Sequence, residues 1–398
     1  ARGGLPGLRE IVEQLEGLPL SFAELERELL PARMADYQPR MLDELGALGE
    51  IVWLGRGALG KGDGLVALYR RSQAHLLAAT PLPAEAAPSA LASALLADLE
   101  ARGASFYMEL CARAGVSGTE VLPALWQLVW AGLVSNDTFQ PLRSLGIGSR
   151  PPTRRRMRAS GPILSQTAGR WSAVSALTTR AGAGAAPVAE TERAHARVLT
   201  LLERHGVVTR EAALAEAVPG GFSALAPVLR AMEEAGQLRR GYFVEGLGGS
   251  QYARAGTIER LRAARDDDSL AGNAVVLSAI DPANPYGALL PWSGSGSDDA
   301  SASPRRVAGA RVVLVAGAPV LHLERGGSVR YFPDAAPGAL EVAVAALRSE
   351  ASRRRGRTRS LRVTSINGAP ATRSEHTASF ERAGLRLEPG ALSLPLAD

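Results

Sequence analysis

Between His205 and Ala253 the apolar positions change period in a set order. Val207 and Val208 lead into a short helix ending near Val218, and Pro219, Gly220 and Gly221 supply a turn. Leu225, Val228, Leu229 and Met232 then recur at helical spacing, which predicts a second helix from Phe222 to Ala235 stopped by Gly236. Leu238 to Val244 and Gln251 to Ala253 read as two short strands around the Gly-rich turn Glu245 to Gly249. Helix, turn, helix and hairpin in this order outline a winged helix.

Two earlier stretches carry the same signature. With Gly49, Gly132 and Gly236 superposed, the positions seven before are Leu42, Leu125 and Leu229, and those four before are Leu45, Leu128 and Met232. Ile51, Val134 and Leu238 follow two after. The repeated unit is an apolar helical face, a glycine where the helix ends in left-handed backbone, and a strand re-entering the core.

The predicted order follows from these repeats. A first winged helix covers 1–78, opened by an amphipathic helix with Leu8, Ile11, Val12 and Leu15 on one side and closed by the hairpin IVWLGRGALGKGDGLVALY. After an Ala/Pro linker, a second winged helix covers 85–146; its last helix carries Trp126 and Trp130, a spacing that suits core or module packing better than base stacking. A basic linker at 147–168 holds Arg154, Arg155, Arg156 and Arg158. The third winged helix, with an N-terminal extension that includes GRWSAV, covers 169–262. Beyond the acidic break at Asp266 to Asp268, NAVVLSAI, ARVVLVAGAPVLHLERGGSVRYF and SLRVTSINGAPATRS read as strands, and PGALEVAVAALRSEASRRR as a helix. Residues 270–398 therefore form a separate β-rich, barrel-like α+β domain, and the chain as a whole is α+β.

Composition narrows the function classes. The 398 residues carry 45 Lys and Arg against 40 Asp and Glu, a net charge of +5, and Lys61 is the sole lysine. Such a balance permits nucleic-acid binding without requiring it. The single Cys111 excludes an internal disulfide framework and a cysteine-based zinc site. His75, His195, His205, His322 and His376 are scattered without metal spacing, so no metal is expected. No apolar run approaches a membrane span and no signal-peptide core is present, so the expected setting is cytoplasmic and nucleoid-associated, with no membrane partner. The opening ARGGLPGLRE, without an initiator Met, is compatible with a piece of a longer protein.

Gly55, Gly60 and Lys61 stand at phosphate-loop spacing, but Gly62 occupies the position where a magnesium-binding hydroxyl is required, and a strand follows instead of a helix. Nucleotide binding there is not expected. Arg56 and Lys61 at the wing tip could instead touch DNA phosphates. The three second helices are poor in the side chains that read base edges, with Arg40 and Arg230 the main exceptions, so strong sequence specificity is not expected. Better contact candidates are Arg239, Arg240 and Tyr242 in the third wing; the four linker arginines are either a solvated linker or a phosphate-neutralising arm.

Three stretches together carry a resemblance: WLGRGALGKGDGLVALY, VVTREAALAEAVPGGFSALAPVLRAMEEAGQLRRGYFVEGLGGSQYA, and DPANPYGALLPW with VVLVAGAPVLHLERGG. Across essentially the whole chain they resemble the C-terminal region of bacterial large helicase-related proteins. The resemblance implies a longer parent with an ATP-dependent DNA helicase core, using ATP and magnesium, and a role in DNA repair. This chain shows no phosphate loop, helicase acidic motif or arginine finger, so no cofactor is expected in it. Its partners would be DNA and the N-terminal helicase core, with a homo-oligomer also open. The region is also similar to winged-helix DNA glycosylases, which implies possible excision of uracil or damaged bases. Asp281 is the first candidate for the necessary carboxylate, with Asn284, Tyr286 and Trp292 as water-orienting or base-stacking neighbours; Glu245 is a weaker candidate. Asp before Pro equally starts an ordinary turn. The glutamine pair of those glycosylases has no clear match, since Gln38 stands before Pro39. Three readings remain open: a DNA-binding module, a glycosylase, and an oligomerisation scaffold for the helicase.

Overall fold

The structure, a computed structural model, describes residues 3–78, 88–148, 165–179, 188–265, 267, 272–292, 304–353 and 360–395. Contacts divide the chain into two compact units, Ala1–Arg204 with Ala224–Val228, and His205–Ser223 with Leu229–Asp398.

Three small sheets share one strand order. The first is β1 (Leu20–Ser21), β3 (Gly64–Arg70), β2 (Ile51–Ala58); the second is β4 (Ser105–Phe106), β6 (Arg170–Ala173), β5 (Val134–Asn136). The third is β7 (Val207–Val208), β9 (Gln251–Ala253), β8 (Arg239–Gly241). In each, the last strand in sequence lies in the middle, which is the winged-helix hairpin with one short strand added.

The repeated glycines do what their spacing predicts. Gly49, Gly132 and Gly236 have φ of 70°, 75° and 73°. The amides of the following residues, Glu50, Leu133 and Gln237, reach back to the carbonyls of Leu45, Leu128 and Met232 at 3.0, 2.9 and 2.9 Å. This is the six-to-one closure of a helix end, and it satisfies carbonyls that would otherwise lack partners. Leu42, Leu45, Leu125, Leu128, Leu229 and Met232 are all buried, as are Ile51, Val134 and Leu238. Each such side chain contributes about 2 kcal/mol of burial.

In the first unit α1 (Gly4–Leu15) buries Leu8, Ile11, Val12 and Leu15. A helical run follows, Phe22–Glu24, a π turn over Leu25–Leu29, and Leu30–Arg33 (together α2); Ser21 Oγ caps it by accepting from Glu24 N. After α3 (Pro39–Ala47) and the β2–β3 wing comes α4 (Ala74–Leu77). The second module supplies α5 (Ala90–Arg102), α6 (Tyr107–Ala114), α7 (Gly118–Trp130) and α8 (Gln140–Gly148). Strand β6 leads into α9 (Val174–Thr178), and α10 (Glu190–His205) follows.

The first two modules are interlocked. A Cβ on Gly55 would lie 2.1 Å from the Val129 carbonyl oxygen, and one on Gly64 would lie 2.3 Å from the Trp130 ring. Trp53 Nε1 donates to Thr138 O at 3.1 Å, Ser135 Oγ donates to Trp53 O, and Phe22 stacks on Phe139 at 6.0 Å. Arg143 reaches Glu26 at 2.7 Å, Asp43 at 2.5 Å and Pro39 O at 2.8 Å. Trp126 stacks on Trp130 at 5.2 Å and meets Trp171 edge-on at 6.0 Å, so this pair is packing, as its spacing suggests.

Several expectations need correction. GRWSAV is not an extension of the third module: Trp171 pairs with Ser105 and Asn136, and β6 is the middle strand of the second sheet. The second module therefore continues past residue 146 to its own third strand, and the segment holding the four arginines is inserted between β5 and β6. Arg154, Arg155, Arg156 and Arg158 themselves lie outside the described residues. Val207 and Val208 form a strand, not a helix start; the helix α11 (Arg210–Ala215) begins after Thr209, whose hydroxyl accepts from Ala212 N at 3.0 Å. The strand expected over Leu238 to Val244 shrinks to β8, because the Phe243 and Val244 amides bond to the Gln251 side chain instead of a strand ladder.

The second unit also contains α12 (Gly221–Glu234, shared with the first unit), α13 (Ala255–Arg265) and the C-terminal domain. A six-stranded sheet runs β10 (Ala274–Ser278), β11 (Arg311–Val315), β12 (Ala318–Leu323), β13 (Ser328–Tyr331), β15 (Ser365–Ile366), β16 (Ala369–Pro370). A second sheet runs β14 (Ser360–Val363), β18 (Ala391–Pro395), β17 (Arg386–Glu388). Helix α14 (Ala339–Arg353) and α15 (Thr377–Arg382) pack Leu340, Val344, Leu347 and Phe380 into the common core with Val313, Leu321 and Leu392. Among the described residues β10 does not pair with β16, so the sheet is open and the barrel-like expectation holds only loosely.

Candidate nucleic-acid interface

The third wing is built around one buried amide. Gln251, fully buried at the start of β9, accepts at Oε1 from Phe243 N (2.7 Å) and Val244 N (2.8 Å) and donates from Nε2 to Val244 O (2.9 Å) and Leu247 O (3.3 Å). A buried amide with both ends satisfied fixes loop geometry that the backbone alone would leave free. Phe243 and Val244 pack against Val207, Ala253 and Ile258. Tyr242 is thereby turned outward and is 85% exposed. Arg239 and Arg240 on edge strand β8 are exposed; Arg240 makes a loose 3.6 Å pair with Glu233. Arg230 is exposed on α12, and Glu245 at the wing tip. The structure thus groups Arg239, Arg240 and Tyr242 on one firm hairpin.

The first wing presents Lys61 at an exposed turn, while Arg56 is half-buried and partnered. Asp63 ties this wing to the start of α2, accepting from Ser21 Oγ at 2.5 Å and Ala23 N at 3.1 Å. In the phosphate-loop-like stretch Gly55 and the following Gly64 serve packing, Gly60 serves a turn at φ 69°, and Gly64–Arg70 is a strand where a phosphate loop needs a helix. Arg40 and Gln38 are exposed at the start of α3. The outward positions of α7 are Thr119, Glu120, Pro123 and Gln127, and its inward positions pack into its own module and, at Val129 and Trp130, against the first. That helix has no cation to offer a phosphate.

Asp281, Asn284, Tyr286 and Trp292 are brought together, and each is engaged in holding its own loop. Asp281 is 2% exposed; Oδ1 accepts from Ala283 N at 2.8 Å. Asn284 Nδ2 donates to Ala279 O at 3.0 Å, and its Oδ1 accepts from Tyr286 N at 3.2 Å. The Tyr286 hydroxyl donates to Gly317 O at 2.9 Å, and burial raises its pKa. Trp292 is buried between Tyr286, stacked at 5.8 Å, and Phe332, stacked at 5.7 Å, with His322 edge-on at 5.4 Å. Gly287 has φ 75°, and a Cβ there would lie 2.6 Å from Trp292 Nε1. Arg306 clamps the loop from below, donating to Asn284 O (2.7 Å), Tyr286 O (3.0 Å) and Asp281 O (3.2 Å). Burial lowers the Arg306 pKa, and the Asp281 carboxylate opposes that shift.

Residues 1–71 and 187–272 each match a family model described as the large helicase-related protein, winged-helix domain. The matched modules are winged-helix domains of the large helicase-related family. Among curated relatives, the Lhr helicase/probable uracil glycosylase of Mycolicibacterium smegmatis is 42% identical over 395 residues, covering 92% of this chain and 25% of that protein. The Lhr helicase/uracil glycosylase of Escherichia coli K12 is 36% identical over 415 residues, covering 98% of this chain and 26% of that protein. The chain therefore spans about a quarter of the length of the curated relatives it matches. The Streptomyces sahachiroi DNA glycosylase AlkZ is a structural neighbour with TM-score 0.44 and 15% identity, covering 87% of this chain and 95% of that chain.

Two organising residues of the chain escaped the reading of its sequence. Gln251 has a legible signal, a polar residue at the first position of a strand whose neighbours are all inward. Arg306 has none, because its partners are main-chain carbonyls 20 or more positions earlier. Among the described residues no group of three or more His, Cys, Asp or Glu is placed to hold a metal, and no helix is long and apolar enough to cross a membrane.

Proposed function

We propose that this chain is the DNA-binding module of a large helicase-related repair helicase, gripping duplex DNA through the third wing. The observation that carries it is the outward grouping of Arg239, Arg240 and Tyr242 on a hairpin braced by Gln251. The guanidiniums meet phosphates, and the Tyr242 ring lies against a sugar or an unstacked base. Lys61 and the arginines inserted in the second module add sequence-independent attraction. The helicase core, with its ATP and magnesium, belongs to the rest of the parent protein, and the assembly acts in the cytoplasm at the nucleoid. A homo-oligomer would show as a concentration-dependent mass.

The test is duplex affinity against salt. Each phosphate contact contributes a slope of about −0.9 in log affinity against log salt, so the double variant Arg239→Gln, Arg240→Gln is expected to flatten the slope by about two. An unaltered slope would remove the wing from the interface.

A second reading is base excision at the Asp281 loop, favoured by the convergence there of a buried carboxylate, an amide and two stacked aromatics. Asp281 would polarise water at the sugar once the loop opens, since its carboxylate is otherwise bound to Ala283 N. Uracil-bearing DNA incubated with the chain and probed for alkali-labile abasic sites tests it; intact strands after prolonged incubation would end this reading.

A further inference from the structure

The first unit contains two adjacent cavities that the wing reading does not use. Strand β3 ends in Arg70, and the chain turns through Arg71 and Ser72 into α4, which packs beside α9. On one side of His75 lies a cavity of about 710 Å³ lined by Arg9, Arg70, Arg71, Ser72 and Thr179 among others. A second cavity of about 280 Å³, also lined by His75, has Ala78, Leu96, Leu133 and Val174 in its walls together with Glu100 and Arg193.

Charge is distributed unevenly between these walls. Arg9 is paired with Glu50 at 2.7 Å, and Arg70 with Glu13 at 2.6 Å and Glu16 at 2.7 Å, so each is compensated by carboxylate. Arg71 instead donates to main-chain carbonyls, those of Leu177 and Ala176. Carbonyls satisfy a guanidinium's hydrogen bonds but leave its full positive charge uncancelled. Beyond the smaller cavity, Arg193 makes only a long 3.9 Å pair with the exposed Glu190. Arg197, one turn along the same helix, is held below its usual pKa by burial, an effect that Glu190 opposes and Arg193 deepens. Arg71 and Arg193 thus border the two cavities, and the smaller one, mostly apolar, also carries Glu100, which accepts from Ser175 Oγ at 3.2 Å.

We infer that the two cavities form a site for one phosphorylated nucleoside, with its phosphate on Arg71 and Ser72 and its base in the slot between Ala78, Leu96, Leu133 and Val174. The combined volumes fall in the range of small-molecule sites, which pair an apolar lining with few, well-placed polar groups. The forked guanidinium suits phosphate, and a flat heterocycle fits an aliphatic slot without needing an aromatic partner. The ligand is either a free mononucleotide or an unpaired nucleotide of a bound strand. This inference goes beyond the wing interface and does not depend on it.

Calorimetric titration of the full chain with thymidine 5′-monophosphate, thymidine and inorganic phosphate tests the site. The nucleotide is expected to saturate, and thymidine to bind at least about tenfold more weakly. Arg71→Gln should weaken the nucleotide about tenfold. Ala78→Leu, which fills the slot and keeps the cations, should abolish nucleotide binding and leave inorganic phosphate binding in place. The wing variant Arg239→Gln, Arg240→Gln should leave nucleotide affinity unchanged, which separates this site from the wing. Competition by oligothymidylate assigns the ligand to a strand, and its failure to compete assigns it to free nucleotide. Absence of saturation by the nucleotide, equal binding of thymidine, or undiminished nucleotide binding by Ala78→Leu would overturn the assignment.

Discussion

Gly55 and Val129 touch backbone to backbone: the space a Cβ would need at Gly55 is occupied by the Val129 carbonyl oxygen, 2.1 Å from that position. The first wing and helix α7 of the second module are thus one packed body, with no room for a side chain at Gly55. Gly55→Ala must push the modules apart, and overpacking of this kind costs about 3 kcal/mol. Urea unfolding should show a clear drop in midpoint for Gly55→Ala. Leu59→Ala, at an exposed position on the same wing, should stay within about 0.5 kcal/mol of the parent. Equal midpoints for the two variants would contradict a rigid contact at Gly55.

Gln251 supports the third wing through four hydrogen bonds to residues 243, 244 and 247. Gln251→Leu keeps the volume but orphans the Phe243 and Val244 amides, at about 1–3 kcal/mol for each buried group left unpaired. The expected result is faster hydrogen exchange at those two amides and weaker duplex binding, with Arg239, Arg240 and Tyr242 all still present. Protection at Phe243 and Val244 equal to the parent would show that the amide is not the brace.

The repeating unit was legible because it is written in local terms. Leu42, Leu125 and Leu229 at one offset from glycine, and Ile51, Val134 and Leu238 at another, fix a helix end and a strand start with no help from distant residues. What was not legible depends on partners far away in sequence. Trp171 finds Ser105 and Asn136 across a long insertion, so GRWSAV, with no turn signal linking it backward, reads as the start of something new. Of the candidate site, the exposed arginines and Tyr242 could be read from an edge strand's composition. The engagement of Asp281 and Asn284 within their own loop could be read only as the turn chemistry that Asp-Pro and Asn-Pro commonly form.

His322 carries a pH dependence. Its Nε2 faces the Arg305 carbonyl at 3.1 Å and therefore donates, and burial holds its pKa below the ordinary 6.5. The unfolded chain takes up a proton near 6.5 while the folded chain resists it. Stability from this residue is therefore fully present above 6.5 and is lost as pH falls from there toward the depressed folded value. Unfolding free energies across that range should fall with acid for the parent and show a shallower fall for His322→Gln. Parallel curves for the two proteins would remove His322 as the cause.

Asp281 and Arg306 set a trap for any test of catalysis by substitution. Arg306 is a half-buried guanidinium whose three hydrogen bonds go to carbonyls of the Asp281 loop, and the Asp281 carboxylate supplies compensating charge. Asp281→Asn leaves that half-buried cation with less compensating charge, which loosens the loop it clamps. Loss of base excision in Asp281→Asn alone would therefore report either chemistry or a loosened loop. The control is Arg306→Met, which removes the three hydrogen bonds that clamp the same loop and leaves the Asp281 carboxylate in place. If Asp281 acts on the substrate, Arg306→Met retains excision that Asp281→Asn lacks, even at an equal or larger loss of thermal midpoint. If the carboxylate only holds the loop, excision falls with the midpoint in both variants.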